Sequence, residues 1–218
     1  MRRNTVALFL ILEGALYLAF LTLDLLGLGA SSIWLKYTGI LLCVVFTCLC
    51  AIRGGDWLVP PALALTALAD LFLLVLNRHY GVGVTFFLAV QTLYLIRLRR
   101  AGADSALWLR TALPLLLALA VDRLALLSPL NLLVCLYFSQ LLANACLAWT
   151  VRGRRWRAFA LGLTLFVGCD VCVGIFNLPG LLPDALYQFS RIGMWLFYLP
   201  SQALIALSAL PEEKESSP

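Results

Sequence analysis

The chain has 218 residues, of which 63% are hydrophobic and 12% are charged, with a formal net charge of +5. Ordinary soluble domains carry roughly 25% charged residues, so this composition excludes a typical water-soluble fold. The long unbroken apolar runs also exclude a transmembrane β-barrel, whose strands alternate polar and apolar residues. The composition therefore predicts an all-α protein built as a polytopic transmembrane bundle.

Eight apolar segments follow one another, separated by charged residues or by Gly and Pro. Because a bilayer core needs about 20 apolar residues per helix, eight spans use most of the sequence and leave short loops. The first segment has no small-residue cleavage site, so we interpret it as a retained helix rather than a signal peptide. The segments are 5–26, 33–52, 57–77, 80–98, 106–127, 130–150, 157–177 and 186–210. They predict one transmembrane domain, 1–210, and a disordered polar tail, 211–218.

The distribution of Lys and Arg predicts the orientation of the bundle. With the N-terminus inside, twelve of these residues fall on inner connections and four on outer ends. Since positive residues accumulate in cytoplasmic loops, this bias predicts that both termini are cytoplasmic. We interpret the cluster Arg152–Arg157 as part of this signal and as a contact for membrane lipid headgroups, not for nucleic acid. The short loops and the lack of a targeting signal predict a bacterial plasma membrane.

Two aspartates in apolar sequence, Asp70 and Asp170, are the strongest candidate functional residues. An ionised carboxylate inside a membrane costs about 3 kcal/mol or more, so such residues mark functional sites. Each is followed seven positions later by an asparagine, Asn77 or Asn177. Seven residues are close to two helical turns, so we expect each Asn on the face of its Asp. A parallel repeat of two four-helix halves would explain this spacing, and so would chance similarity between leucine-rich helices.

Further polar residues recur at helical spacing in the other segments. They are Gln91 and Tyr94; Tyr137, Gln140 and Asn144; and Tyr198 and Gln202. Since lipid cannot satisfy their hydrogen bonds, we expect them to face a polar cavity inside the bundle. Asp24, near the outer end of its helix, is expected to pair with Lys36, whereas Glu13 has no evident role.

Several kinds of catalytic site lack the residues they need. His79 is the only histidine, which excludes membrane zinc hydrolases with several imidazole ligands. Cys169 and Cys172 form a lone C-x-x-C pair, which predicts no metal site. No nucleophile elbow and no nucleotide-binding glycine motif occurs. We therefore expect carboxylate chemistry with neither a metal nor a cofactor.

Four stretches resemble the YhhN-like lysoplasmalogenase family, as does Lys36 near the start of the second segment. They are 67–74 (ALADLFLL), 91–94 (QTLY), 162–170 (GLTLFVGCD) and 198–208 (YLPSQALIALS). The resemblance runs from about Lys36 to Ser208, and the family's eight helices agree with the count above. The chain departs from the usual family pattern at four positions: Tyr37, Ala69, Gln91 and Cys169.

The resemblance implies hydrolysis of the vinyl ether bond of lysoplasmalogens, giving a fatty aldehyde and glycerophosphoethanolamine or glycerophosphocholine. Acid cleavage of a vinyl ether needs one protonated and one ionised carboxyl group, and Asp70 and Asp170 would supply them. The sequence does not assign the protonated role to either aspartate. Lys36 would hold one of them ionised or bind the substrate phosphate. The other polar candidates would bind or orient the substrate: Asn77, Gln91, Tyr94, Asn177, Tyr198 and Gln202. The expected partners are the lysophospholipid substrate and membrane lipids.

A small lipid or solute transporter without chemistry is the alternative function. The possible repeat and the polar residues at mid-membrane depth favour it. However, transporters of this kind often break their helices at the substrate site. Here the clear interruptions, Pro60–Pro61 and Pro179–Gly180, lie near segment ends.

Overall fold

The computed structural model describes residues 3–26, 31–178, 180 and 182–211, and these residues form eight α-helices and no strand. The predicted all-α fold and the predicted number of helices are confirmed. The helices are α1 (Arg3–Leu26), α2 (Ile33–Ile52), α3 (Val59–Asp70), α4 (Tyr80–Arg100), α5 (Leu107–Arg123), α6 (Pro129–Ala148), α7 (Arg154–Phe176) and α8 (Asp184–Leu207). Except for Pro211, the predicted tail lies outside the described residues.

Five of the described helices, α1, α2, α4, α6 and α7, are long and apolar enough to cross a membrane. These helices are compatible with a multi-pass membrane protein. The orientation of the termini and the internal repeat stay predictions. We use the predicted topology only to name the two ends: α1, α3, α5 and α7 end at the outer end, and α2, α4, α6 and α8 end at the inner end.

Proline residues shape the helices in two ways. At helix starts they occupy positions that need no N–H partner, as Pro129 does in α6 and Pro60 in α3. The hydroxyl of Ser128 caps α6 by accepting a hydrogen bond from the Asn131 amide at 3.1 Å. Pro60–Pro61 thus lies at the start of a helix, as the sequence predicts.

Two further prolines lie inside helices, Pro114 in α5 and Pro200 in α8. A proline has no N–H, so the carbonyl four residues earlier loses its helical partner. In both helices a side chain from a neighbour replaces it. Gln140 Nε2 of α6 donates to Arg110 O at 3.3 Å, and Tyr17 Oη of α1 donates to Leu196 O at 3.2 Å. The polar groups freed by each proline therefore cross-link adjacent helices.

Helices α2, α3, α4, α6, α7 and α8 surround the interior, while α1 packs on α2 and α8, and α5 packs on α6. The α7–α8 pair is the closest, because Gly162 lets the backbones meet. A Cβ atom there would lie 3.0 Å from Ser201 O and 2.8 Å from Ile205 Cγ1. This close packing holds the central part of α7 against the part of α8 that carries Tyr198 and Gln202.

A buried cluster around Arg97 joins the inner ends of several helices. Arg97 Nε pairs with Asp56 Oδ2 at 2.7 Å, while Nη1 donates to Ser208 Oγ at 2.8 Å and Nη2 to Ser208 O at 2.7 Å. Its guanidinium also lies over the rings of Trp156 and Phe159, 4.8 and 4.3 Å from their centroids. We call these five residues the Arg97 cluster. Arg97, which the sequence suggests as a loop cation, instead binds the helices together.

Candidate active site

Asp70 is the last residue of α3, where the helix passes into a π-helical turn over Leu71–Val75. The turn is closed by a hydrogen bond from Leu76 N to Leu71 O at 2.8 Å. Turns of this kind widen a helix by one residue and are frequent at functional sites. The Asp70 side chain is buried, and its Oδ2 accepts a hydrogen bond from Tyr198 Oη of α8 at 2.7 Å.

Asp170 lies in the unbroken part of α7, about two turns before the outer end of that helix. The hydroxyl of Tyr137 in α6 faces its carboxyl group. In the part of the chain that the structure describes, however, neither Asp170 Oδ2 nor Tyr137 Oη has a hydrogen-bond partner of good geometry. Asp170 therefore differs from Asp70, whose carboxylate has a well-placed donor.

Asp70 and Asp170 both lie inside the bundle, close enough to interact electrostatically. Tyr137 and Tyr198 interact with each other and with Cys169, which precedes Asp170. We call Asp70, Asp170, Tyr137, Tyr198 and Cys169 the carboxyl cluster. It brings together residues of α3 and of the three consecutive helices α6, α7 and α8.

Aromatic rings enclose the carboxyl cluster on one side. The ring of Tyr137 stacks on Phe87, 5.5 Å between centroids; Phe87 contacts Phe166 at 5.5 Å, and Phe166 contacts Tyr198 at 5.6 Å. These contacts connect Tyr137, which lies beside Asp170, with Tyr198, which is hydrogen-bonded to Asp70. The cluster is thus polar at its centre and aromatic at its wall.

Both asparagines are exposed and lie outside this cluster, and for Asn77 the expectation that it shares the face of its aspartate is wrong. Asn77 is exposed, has a left-handed backbone with φ of 48°, and accepts a hydrogen bond from Tyr80 Oη at 2.7 Å. The π turn after Asp70 changes the helical phase, so the seven-residue spacing no longer places both on one face. Asn177 is also exposed and donates to Val173 O at 2.8 Å at the end of α7.

Gln91 belongs to a separate buried network. Asn144 Nδ2 donates to both Gln91 O and Gln91 Oε1 at 2.9 Å. Arg110 of α5 in turn donates to Asn144 Oδ1 at 2.6 Å and to Gln140 Oε1 at 2.9 Å. These contacts join α4, α5 and α6, so the described partners of Gln91 are structural ones.

Tyr94 and Gln202 lie deeper in the bundle. Tyr94 is one turn beyond Gln91 in α4, with its ring edge-on to Phe159 at 5.2 Å. Gln202 is one turn beyond Tyr198 in α8, and its Nε2 donates to Ser201 Oγ at 3.2 Å. Among the described residues, Tyr94 Oη and Gln202 Oε1 have no hydrogen-bond partner. Gln202 Oε1, one turn from Tyr198, can accept a hydrogen bond from water or a ligand near the carboxyl cluster, whereas Tyr94 packs against Phe159 of the Arg97 cluster.

Lys36 pairs with Asp24 at 2.7 Å, which confirms the predicted ion pair. Its ammonium also lies 4.0 Å from the centroid of the Trp195 ring. Ser32 Oγ donates to the other oxygen of Asp24 at 2.6 Å. The carboxylate that holds the Lys36 charge is therefore Asp24, at the outer end of α1, rather than Asp70 or Asp170.

Tyr137 is the site residue that the sequence-based candidates omit. The sequence places Tyr137 on one helix face with Gln140 and Asn144. It does not show that Tyr137 faces Asp170 while the other two bind Arg110. Glu13, for which the sequence offers no role, is buried and accepts a hydrogen bond from Cys43 Sγ at 3.2 Å.

The described residues contain no group of three or more His, Cys, Asp and Glu side chains placed to hold a metal ion. The two carboxyl groups of the carboxyl cluster can transfer a proton and stabilise positive charge. The hydroxyls of Tyr137 and Tyr198 can orient those groups or a bound substrate.

Comparison with known proteins gives one match. No curated protein and no solved structure shows significant similarity to the chain. The model of the YhhN family matches residues 31–209, a range that starts just before α2 and includes the whole carboxyl cluster. Since this match covers well over half of the sequence, the chain belongs to the YhhN family.

Proposed function

We propose that this protein is a membrane-embedded hydrolase that cleaves the vinyl ether bond of lysoplasmalogens. Membership of the YhhN family supports this reaction class. The observation that carries the proposal is that Asp70 and Asp170 lie within electrostatic reach of each other in an apolar interior, with unequal hydrogen bonding. Acid cleavage of a vinyl ether needs such a pair, one carboxyl group neutral and the other ionised.

The hydrogen bonds suggest which aspartate has which role. A hydrogen bond donated to a carboxylate stabilises its ionised form, and Asp70 receives one from Tyr198. The Tyr137 hydroxyl faces Asp170 without a hydrogen bond of good geometry, so the ionised form of Asp170 is stabilised less, which favours a neutral acid there. We therefore assign Asp170 as the general acid and Asp70 as the stabilising carboxylate.

In the first step, the Asp170 proton passes to the β-carbon of the vinyl ether. The electrons of the double bond form the new C–H bond, which leaves an oxocarbenium ion next to the Asp70 carboxylate. Water then adds to the carbon bonded to oxygen and returns a proton to Asp170. The hemiacetal breaks its bond to the glycerol oxygen, its hydroxyl proton moves to that oxygen, and fatty aldehyde is released.

The surroundings suit this sequence of steps. The oxocarbenium ion is a cation, and aromatic faces such as those of Phe87 and Phe166 stabilise nearby positive charge. The apolar helix walls can hold the single alkyl chain of the substrate, while Gln202 Oε1, one turn from Tyr198, can accept a hydrogen bond from the attacking water.

The test is release of fatty aldehyde from lysoplasmenylethanolamine by the purified protein reconstituted in lipid vesicles. We expect Asp170→Asn and Asp70→Asn each to lower the rate about 10²- to 10⁴-fold, the usual contribution of a positioned acid or base. Asn has the size of Asp but cannot supply the proton. Asp122→Asn, which changes an exposed acid at the end of α5, is the matched control and should retain full activity.

Reaction in D₂O tests the mechanism itself. Protonation at carbon places one deuterium on the aldehyde carbon next to the carbonyl group, whereas cleavage at an ester or phosphate leaves that carbon unlabelled. Absence of aldehyde release by the folded wild-type protein would overturn the proposed function. Full activity of both aspartate variants would overturn the assigned mechanism.

A further inference from the structure

A second polar site lies at the outer end of the bundle, where α1 ends and α2 begins beside the first half of α8. It is a cavity of about 340 Å³, within the size range of small-molecule sites. We call it the outer pocket. Its lining residues are Asp24, Lys36, Gln188, Arg191, Ile192 and Trp195.

The charges of the outer pocket favour an anion. Lys36 is only 8% exposed and its charge is balanced by Asp24. Arg191 adds a second positive charge, and its described polar partner is the neutral Gln188, with Nη1 3.5 Å from Oε1. The net charge of the lining is therefore +1, opposite to that of a phosphodiester. Lys36 still has N–H groups to offer, since an ammonium carries three donors and Asp24 takes one.

The outer pocket is connected to the carboxyl cluster through α8. Trp195 lies under the Lys36 ammonium, and its ring is 6.0 Å from that of Tyr198, which binds Asp70. Arg191 precedes Tyr198 by two helical turns, roughly 10 Å along the axis. In a lysophospholipid, five bonds separate the ether oxygen from the phosphorus, so the long arginine side chain has to span the rest of this distance.

We propose that the outer pocket binds the phosphate of the lysophospholipid substrate, with Arg191 and Lys36 as the phosphate ligands. Trp195 then covers the glycerol backbone, and the ether bond reaches Asp70 and Asp170. The substrate identity rests on the proposed function, whereas the preference for an anionic phosphate rests on the pocket itself. Because Asp24 lines the pocket, α1 helps to build this site, although α1 lies outside the range matched by the family model.

The test is binding of an alkyl-ether lysophosphoethanolamine, which has the same headgroup and chain type but no vinyl ether to cleave. We expect Arg191→Gln to weaken its binding roughly tenfold, the usual loss of one charged hydrogen bond at a partly exposed site. Arg191→Lys should restore most of the affinity. Arg78→Gln, at another exposed arginine of the outer end, is the matched control and should bind like the wild type.

Two further ligands test whether the pocket needs a phosphate and whether that phosphate has to belong to a lipid. The corresponding alkylglycerol, which lacks the phosphate, should bind the wild type and Arg191→Gln equally. Inorganic phosphate should compete only at concentrations far above those of the lipid. The proposal is overturned if Arg191→Gln leaves lysophospholipid binding unchanged or weakens both lipids alike. It is also overturned if inorganic phosphate displaces the lipid at similar concentrations.

The same variant separates this proposal from the proposed function. If aldehyde is released, Arg191→Gln should raise KM and leave kcat nearly unchanged, because Arg191 lies outside the carboxyl cluster. If no aldehyde is released but Arg191 still controls binding of the phosphate-bearing lipid, the hydrolase assignment fails and the phosphate site remains.

Discussion

Two of the buried polar clusters in the described part of the chain, the Arg97 cluster and the carboxyl cluster, differ in how completely their groups are paired. In the Arg97 cluster, the guanidinium contacts a carboxylate, a hydroxyl, a backbone carbonyl and two aromatic rings. In the carboxyl cluster, Asp170 Oδ2 and Tyr137 Oη have no hydrogen bond of good geometry among the described residues. A fully paired cluster holds helices together, whereas an incompletely paired one keeps hydrogen-bonding capacity for a ligand.

The largest expected effect on stability concerns the Arg97 cluster. Asp56→Asn should lower the free energy of unfolding by about 3 kcal/mol or more, because it leaves a buried guanidinium without its counter-charge. Thermal unfolding in detergent measures this change, and Asp104→Asn, at an exposed acid of the inner end, is the control. Equal melting temperatures for Asp56→Asn and the wild type would show that this cluster does not hold the inner end together.

In the carboxyl cluster, by contrast, substitutions should lower the activity and leave the stability nearly unchanged. Tyr198→Phe removes the hydrogen bond to Asp70 and should lower the rate of aldehyde release by about 10- to 100-fold, the usual worth of a hydrogen bond to a charged group. Tyr137→Phe removes a hydroxyl that lacks a well-formed bond, so we expect a smaller loss. Both variants should melt near the wild-type temperature. A larger loss from Tyr137→Phe than from Tyr198→Phe would reverse the roles assigned to the two aspartates.

Helix packing around the carboxyl cluster gives the next effect. Gly162→Ala places a methyl group against the backbone of α8 and should destabilise the protein by about 1–3 kcal/mol, with loss of activity as α7 and α8 separate. Gly174→Ala in the same helix has no atom within 4 Å of the new methyl group, so it should be neutral or slightly stabilising. Similar melting temperatures for the two variants would contradict the close α7–α8 contact.

The smallest effect is expected outside both clusters. Asn177→Ala removes an exposed hydrogen bond at the end of α7 and should change stability by no more than about 0.5 kcal/mol. Aldehyde release should stay within twofold of the wild-type rate. A loss comparable to that of Tyr198→Phe would return Asn177 to the candidate site and restore the shared-face interpretation of the Asp and Asn spacing.

Much of the fold could be predicted because it depends on local properties of the chain. Apolar runs bounded by Gly, Pro and charge gave eight helices with boundaries close to the observed ones. The ion pair between Lys36 and Asp24 was also predictable, since both residues lie near the same end of consecutive helices. Asp70 and Asp170 stood out because a carboxyl group in apolar sequence is costly wherever it lies.

The polar stripes were harder to interpret. Tyr137, Gln140 and Asn144 share one stripe on α6, yet Tyr137 faces Asp170 while the other two bind Arg110. The spacing within one helix fixes the angles between its side chains but gives no information on which neighbour each side chain meets. For the same reason, Arg97 and Arg110 could be read only as positive charges of the inner loops.

The amino-acid sequence by itself determined the all-helical fold, the YhhN family and the two aspartates, because hydropathy, helical periodicity and short motifs are properties of neighbouring residues. Only the tertiary structure decided which groups meet. It brought Tyr198 to Asp70 and Tyr137 to Asp170, and the π turn moved Asn77 away from the site. Contacts between helices depend on their relative rotation and depth, which many weak packing interactions set together.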